Sequence, residues 1–156
     1  MSEPYLRRAD EDDIDLLFNW VNDVVVRQNA FNTKKIEYSD HKKWFYEKLN
    51  SDSSIIYIYC VEDGTPVGQV RIDIDNDYGL ISYSIDACNR MHGHGGRLLM
   101  LLEDIVLQKL PEVDVLVARV KKNNVSSQRR FEKLGYRCVD KDECFEYRKI
   151  IAINDE

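Results

Sequence analysis

The chain has 156 residues, enough for one ordinary domain with a sizeable core, and a hydrophobic fraction of 44% excludes global disorder. Lys and Arg number 22 against 28 Asp and Glu, a net charge of −6 that argues against nucleic acid or an anionic membrane surface as partner. The charge is uneven, however. Residues 1–89 carry 9 basic and 17 acidic side chains (−8), residues 90–137 carry 10 and 5 (+5), and residues 138–156 carry 3 and 6 (−3), so a small polyanion has a basic segment to meet.

In chain order, Tyr5–Arg8 reads as an opening strand. The acidic run Asp10–Asp15 suits a helix start and solvated surface better than a metal site, because Ile14, Leu17, Phe18 and Val21 follow at helical spacing. A loop is expected next, then Ser39 as N-cap of a second helix with Trp44, Phe45 and Leu49 on its apolar face. Ser54–Val61, Pro66–Asp73 and Leu80–Asp86 read as three consecutive antiparallel strands, turned at Asp63-Gly64 and at Asn76–Gly79. Ile81, Tyr83 and Ile85 share one face of the third, and Ser82 and Ser84 the other.

The period then switches. Gly95–Leu110 reads as a buried helix stopped by Pro111, Asp114–Val120 as a strand and Ser126–Leu134 as a short helix ended by Gly135. Tyr136–Val139 and Phe145–Ile151 close the sheet. The order implies an α+β (mixed α/β) fold, not a doubly wound one, in a single domain over 1–156 with its core at about 4–152. The apolar run Leu98–Leu110 is broken by Glu103, Asp104, Gln108 and Lys109, so no membrane span is expected. Cys60, Cys88, Cys138 and Cys144 have no paired-ligand spacing, and no signal-like segment precedes them. The expectation is a reduced, cytoplasmic protein with buried thiols.

Three of seven glycines fall in Arg90-Met-His-Gly-His-Gly-Gly-Arg97, between a strand and the buried helix. Glycines there let backbone approach a ligand, and the free N–H groups and dipole of a helix start favour phosphate. No Lys-Ser/Thr follows, so this is not a Walker loop. His92 and His94 have no third ligand nearby, and no metal is expected.

Arg90-x-x-Gly93-x-Gly95 resembles the acetyl-CoA-binding signature of the GNAT superfamily of N-acetyltransferases. Asn124-x-x-Ser127-x-x-x-Phe131-Glu-Lys-Leu-Gly135-Tyr136, which begins 34 residues downstream of Arg90, looks like the superfamily's second motif. The resemblance implies a mostly antiparallel sheet whose fourth and fifth strands splay, with acetyl-CoA in the gap. The cofactor arm would pair with backbone near Ile85 and Asp86, and its pyrophosphate would rest on N–H groups from Met91 through Arg97, including His92, Gly93, His94, Gly95 and Gly96. Asn124, Ser127 and Phe131 would line the arm. Arg90, Arg97, Lys121, Lys122, Arg129 and Arg130 are candidates for the 3′-phosphate.

Two departures matter. The motif Tyr that gives the leaving thiolate its proton in many relatives is here Phe131, which has none to give, so either Tyr83, Ser84, Tyr136 or water supplies it, or the thiolate leaves with stabilisation only. Where some relatives place a Glu, this chain has Arg119. His41, whose ordinary pKa suits base work, is the candidate base and Ser84 a candidate catalytic hydroxyl.

The N-terminal third, with Phe18-Asn-Trp-Val-Asn-Asp23, Arg27-Gln-Asn-Ala-Phe31 and His41-x-x-Trp44-Phe45, resembles the sugar-nucleotide amine acetyltransferases of pseudaminic-acid-type biosynthesis. That implies the 4-amino group of a UDP-linked 4-amino-4,6-dideoxy sugar as acceptor, with Arg27, Asn29, Phe31, Trp44 and Tyr83 as substrate candidates. A local excess of cations supports a nucleotide: Arg27, Lys34, Lys35, Lys42, Lys43 and Lys48 against Glu37, Asp40 and Glu47. A peptide acetyltransferase of ribosomal-protein type and a non-catalytic acyl-CoA-binding domain are the alternatives, and a homodimer is possible.

Overall fold

Strand alternation and two tight turns organise the first half of the sheet. In the computed structural model, which describes residues 3–151, seven strands join in the order β1-β2-β3-β4-β5-β7-β6. β1 (Tyr5–Arg8), β2 (Ser54–Cys60), β3 (Pro66–Asp75) and β4 (Tyr78–Ile85) pair antiparallel in turn, and β5 (Val115–Lys121) runs parallel to β4. β7 (Cys144–Ile150) pairs antiparallel with β5, and β6 (Arg137–Asp140) forms the far edge. The expected mixed, mostly antiparallel α+β fold is what forms. The turn between β3 and β4 is shorter than expected: Asp75 pairs with Tyr78, Asn76 takes the left-handed φ of 55° that a two-residue turn requires, and Gly79 lies inside the strand.

Among the described residues five α-helices flank the sheet. Asp10 caps a 3-10 turn (Glu11–Asp13) that leads into α1 (Ile14–Val21). The acidic run is not all solvated surface, though. Asp13 is buried and takes two hydrogen bonds of 2.8 Å from the Arg7 guanidinium, because the turn aims it at β1. Where a loop is expected, α2 (Val24–Asn29) forms, with the Asp23 carboxylate accepting from the N–H groups of Val25 and Val26. α3 (Tyr38–Leu49) has Glu37, not Ser39, at its N-cap. α4 (His94–Lys109) follows Gly93, whose φ of 80° only glycine adopts freely, and α5 (Val125–Lys133) is capped by the Asn124 side chain.

The two faces of β2 sort the core. Tyr57 and Tyr59 join α4's Leu98, Leu99, Leu102 and Val106 on one side, while Ile56, Ile58 and Cys60 join Leu17 and Trp20 of α1 and Phe45 of α3 on the other. Each wholly buried leucine of α4 contributes about 2 kcal/mol. Cys60 and Cys144 are buried, but Cys88 and Cys138 are exposed, since one lies in the loop after β4 and the other on the edge strand. No helix among the described residues is long and apolar enough to cross a membrane.

Candidate active site

The parallel ladder between β4 and β5 spans only Tyr78–Ile81 against Val115–Ala118, although both strands run on. From Ser82 onward the β4 edge has no β5 partner, and the gap widens into a cleft of about 960 Å³. Its walls are β4, the first turn of α4, α5 and the N-terminal helices. The gap is the expected splay. Two of the backbone groups expected to be open there are already engaged, however. The Ile85 carbonyl already accepts from Arg90 Nε at 3.1 Å, and the Asp86 N–H donates to the Val67 carbonyl at 2.8 Å.

At one end stands the glycine turn. Gly93 and Gly96 have open space where a side chain would project, and the first N–H groups of α4 have no partner within the helix. Met91, fully exposed, takes a strained φ of 67°. This surface can take a phosphate. Arg90 is not free to bind one: its Nη2 is 2.7 Å from Asp23, whose carboxylate it helps hold below the ordinary range against the opposing effect of burial. Asp23 is a contributor the sequence did not single out, since the pair joins residues far apart in the chain. His92 is exposed, and His94 Nδ1 shares a 2.9 Å hydrogen bond with Tyr59 Oη. Among the described residues no group of three or more His, Cys, Asp or Glu is placed to hold a metal.

The alternation of β4 divides the centre of the cleft. Ser82 and Ser84 face the N-terminal lobe, where Gln69 Nε2 donates to Ser84 Oγ at 3.1 Å. Tyr83 points the other way, toward α5, so the expectation that it touches the acceptor is corrected. Its ring packs edge-on against Phe131 with centroids 5.9 Å apart, and its Oη lies 2.7 Å from both Ser127 Oγ and Arg130 Nη1. Asn124 uses its side-chain oxygen to cap α5, and among the described residues its amide N–H groups meet no acceptor. Tyr136 is not available as a proton donor. It is buried, and burial and Glu103, to which it donates at 2.9 Å, push its hydroxyl pKa far up. Arg119, at the motif Glu position, pairs at 3.4 Å with Glu146, a buried carboxylate that Arg148 and Lys141 also hold.

The acceptor side corrects two further expectations. His41 is 2% exposed, stacks on Phe45 with centroids 5.9 Å apart, and donates from Nε2 to the Ile14 carbonyl at 2.9 Å. Burial pushes its pKa down, and the residue ties α3 to α1 rather than standing free as a base. Arg27 uses Nε and Nη1 on the carbonyls of Val21, Asn32 and Lys34, so it builds the loop instead of offering an open fork to a ligand. Asn29, exposed Phe31 and half-buried Trp44 do line the cleft, and Arg71 covers the Trp44 ring at 5.1 Å. Charge on this side is one-sided. Arg27, Lys34, Lys35, Arg71 and Arg119 line it, Asp40 is the one lining carboxylate among the described residues, and of the cations Arg71 is paired with Asp73 and Arg119 with Glu146.

The acetyltransferase (GNAT) domain family matches residues 5–137. The chain belongs to that family. As a GNAT domain it is an acetyl-CoA-dependent N-acetyltransferase that acts on amines. Among solved structures it is similar to a spermidine N-acetyltransferase from Vibrio cholerae in complex with CoA and spermine (12% identity, TM-score 0.87, 96% of each chain). It is also similar to a domain from Methanocaldococcus jannaschii DSM 2661 (20% identity, TM-score 0.83, 96% of this chain and 99% of that one). A third is the aminoglycoside acetyltransferase AAC(6')-Ib in complex with coenzyme A and kanamycin (19% identity, TM-score 0.79, 95% of each). Similarity at these identities is similarity of fold. No curated protein matches the sequence.

Proposed function

We propose that this GNAT enzyme acetylates the primary amine of an acceptor that is itself anionic, namely the 4-amino group of a nucleotide-linked amino-deoxy sugar. The observation that carries this reading is the acceptor wall, whose lining among the described residues holds Arg27, Lys34 and Lys35 against one carboxylate, Asp40, with Arg71 and Arg119 beside them already paired to Asp73 and Glu146. Spermine and kanamycin, bound by similar structures, are polycations that such a wall repels, whereas a diphosphate is attracted.

The same charge helps the chemistry. Nearby cations disfavour an ammonium ion, so they supply the neutral amine that attack requires without a dedicated base. Acetyl-CoA supplies an activated acetyl thioester. In this reading the N–H groups of the α4 turn, within Met91–Arg97, hold its pyrophosphate, and the free amide of Asn124, with Ser127 and Phe131, orients its arm. The open backbone of β4 beyond Ile81 donates to the oxygen on which charge develops. Asn29, Phe31 and Trp44 shape the acceptor site, and Lys34 and Lys35 meet the diphosphate.

The test is thiol release from acetyl-CoA with a UDP-linked 4-amino-4,6-dideoxy sugar, the same amino sugar without the nucleotide, spermidine, kanamycin and an N-terminal peptide. Two charge-assisted contacts to the diphosphate correspond to a preference of about 100-fold in kcat/KM for the nucleotide-linked sugar over the free one. Spermidine, kanamycin or the peptide turning over at least as well as the nucleotide-linked sugar would refute the reading.

A further inference from the structure

The family's motif places a hydroxyl at position 131, and this chain has phenylalanine there. We propose that Tyr83 supplies the missing proton to the departing thiolate, and that Arg130 is its positioning residue. The assignment rests on acetyl transfer itself and not on which amine is the acceptor.

Three observations converge. Tyr83 lies two residues past the end of the β4–β5 ladder, on the face of β4 turned toward α5. Its hydroxyl reaches Ser127, one turn before Phe131, so the phenol that α5 lacks is delivered to the same helix from the opposite lip of the gap. Finally, Arg130 Nη1 donates to Tyr83 Oη at 2.7 Å, and its guanidinium lies so close over Gly95 that a side chain there would come within 2.7 Å of it. A guanidinium has no acceptor atom and keeps its charge, so it fixes which way the phenol can donate and faces the oxygen that is left negative. The other hydroxyls lining the cleft belong to serines (Ser82, Ser84, Ser126, Ser127), and an alcohol is a far weaker proton donor than a phenol.

The step balances as follows. The acceptor nitrogen forms a bond to the acetyl carbon, and the carbon–sulfur bond breaks with its electron pair going to sulfur. The Tyr83 O–H proton passes to that sulfur, giving the free thiol. The proton shed by the acylated nitrogen returns to the phenolate through water, leaving amide, thiol and a restored tyrosine.

Three measurements test this on the intact chain. The first is the affinity for coenzyme A and for its desulfo analogue, read by calorimetry without any acceptor. One hydrogen bond to sulfur gives wild type a preference of about threefold or more for the thiol form, and Tyr83→Phe abolishes it. Secondly, Tyr83→Phe lowers kcat about 100-fold with the KM for acetyl-CoA changed less than about threefold. Thirdly, Phe131→Tyr in the Tyr83→Phe background restores at least about tenfold of that loss, which a merely structural effect of Tyr83 does not predict. Arg130→Ala lowers kcat in the same manner, and adding it to Tyr83→Phe costs little more. An unchanged preference for the sulfur in Tyr83→Phe, a wild-type kcat, or a loss of kcat that tracks lost coenzyme A affinity overturns the proposal. Since the calorimetry uses no acceptor, a wrong acceptor leaves that test standing.

Discussion

Gly79 sits in the four-residue ladder that still joins β4 to β5 before the gap opens, opposite Leu116. A Cβ at this position would lie 2.5 Å from Ile72 Cδ1, 2.8 Å from Ile72 Cγ1 and 3.4 Å from Leu116 Cδ2. Ile72 is wholly buried, so its side chain cannot swing into solvent to make room. Gly79→Ala therefore overpacks the core, at a cost of about 2 kcal/mol. In a chain of this size that lowers Tm by about 4–8 °C. Ile72→Ala removes both clashing atoms and alone costs about 3 kcal/mol, as for a buried isoleucine truncated to a cavity. In that background the extra methyl of Gly79→Ala meets only Leu116 at ordinary contact distance, so its own cost falls to about zero. The double-mutant cycle in urea should then show a coupling of about 2 kcal/mol at constant m-value. Equal destabilisation by Gly79→Ala in both backgrounds would refute the steric account and mean that backbone conformation, not Ile72, demands glycine.

Asp13, Asp73 and Glu146 are each held below the ordinary carboxylate range. Burial opposes this, but hydrogen bonds and charges from Arg7, from Arg71 with Lys48 and Ser54, and from Arg148 with Arg119 outweigh it. Their stabilisation is therefore present above the ordinary values near pH 4 and is lost as pH falls below them. The urea midpoint should drop steeply there, and Asp13→Asn should flatten the drop. Burial depresses His41 from its ordinary 6.5, so its share of stability is present above that pH and fades as pH falls through it; His41→Phe should remove this shallow component while kcat keeps its pH dependence. Asp23→Asn keeps an N-cap for α2 but breaks the ion pair to Arg90, so coenzyme A affinity should fall several-fold with Tm nearly unchanged. Lys34→Glu with Lys35→Glu should cut kcat/KM for the nucleotide-linked acceptor at least about tenfold, and added salt should shrink the difference, while coenzyme A binding stays as it was.

Sequence patterning foretold what depends on neighbours in the chain. The alternation of β2 to β4, the buried face of α4 and the end of α5 before Gly135 follow from local rules, and the glycine turn marks the cleft on its own. α2 was not legible because three consecutive β-branched valines make a weak helix former, and it is the Asp23 cap that holds it. His41 looked free because its helix carries aromatic residues on the same face as a titratable one, and periodicity cannot tell which of them is enclosed. Tyr83 and Arg130 lie 47 positions apart, on elements that local patterns predict separately, and only the fold brings their polar atoms to 2.7 Å. The departure of position 131 from the motif was visible in the sequence, and so were the candidates to replace it; which of them stands beside α5 was not.

The joining of the two halves of the cleft follows from two further long-range contacts. α2 has no buried residue of its own, so hydrophobic packing does not fix the acceptor wall. It is held at its start by Asp23, paired with Arg90 of the glycine turn, and at its end by Lys121 of β5, whose Nζ donates to the carbonyls of Gln28 and Ala30. Both anchors stand on the cofactor side. The wall that carries Asn29 and Phe31 is thus positioned by the same turn and strand that frame the gap, and its residues can change with the acceptor without disturbing the core. A net charge of −6 then coexists with a cationic cleft, because the acidic side chains are spent on caps and ion pairs such as Asp10, Asp13, Asp23 and Asp73, while Lys34 and Lys35 stay exposed at its rim.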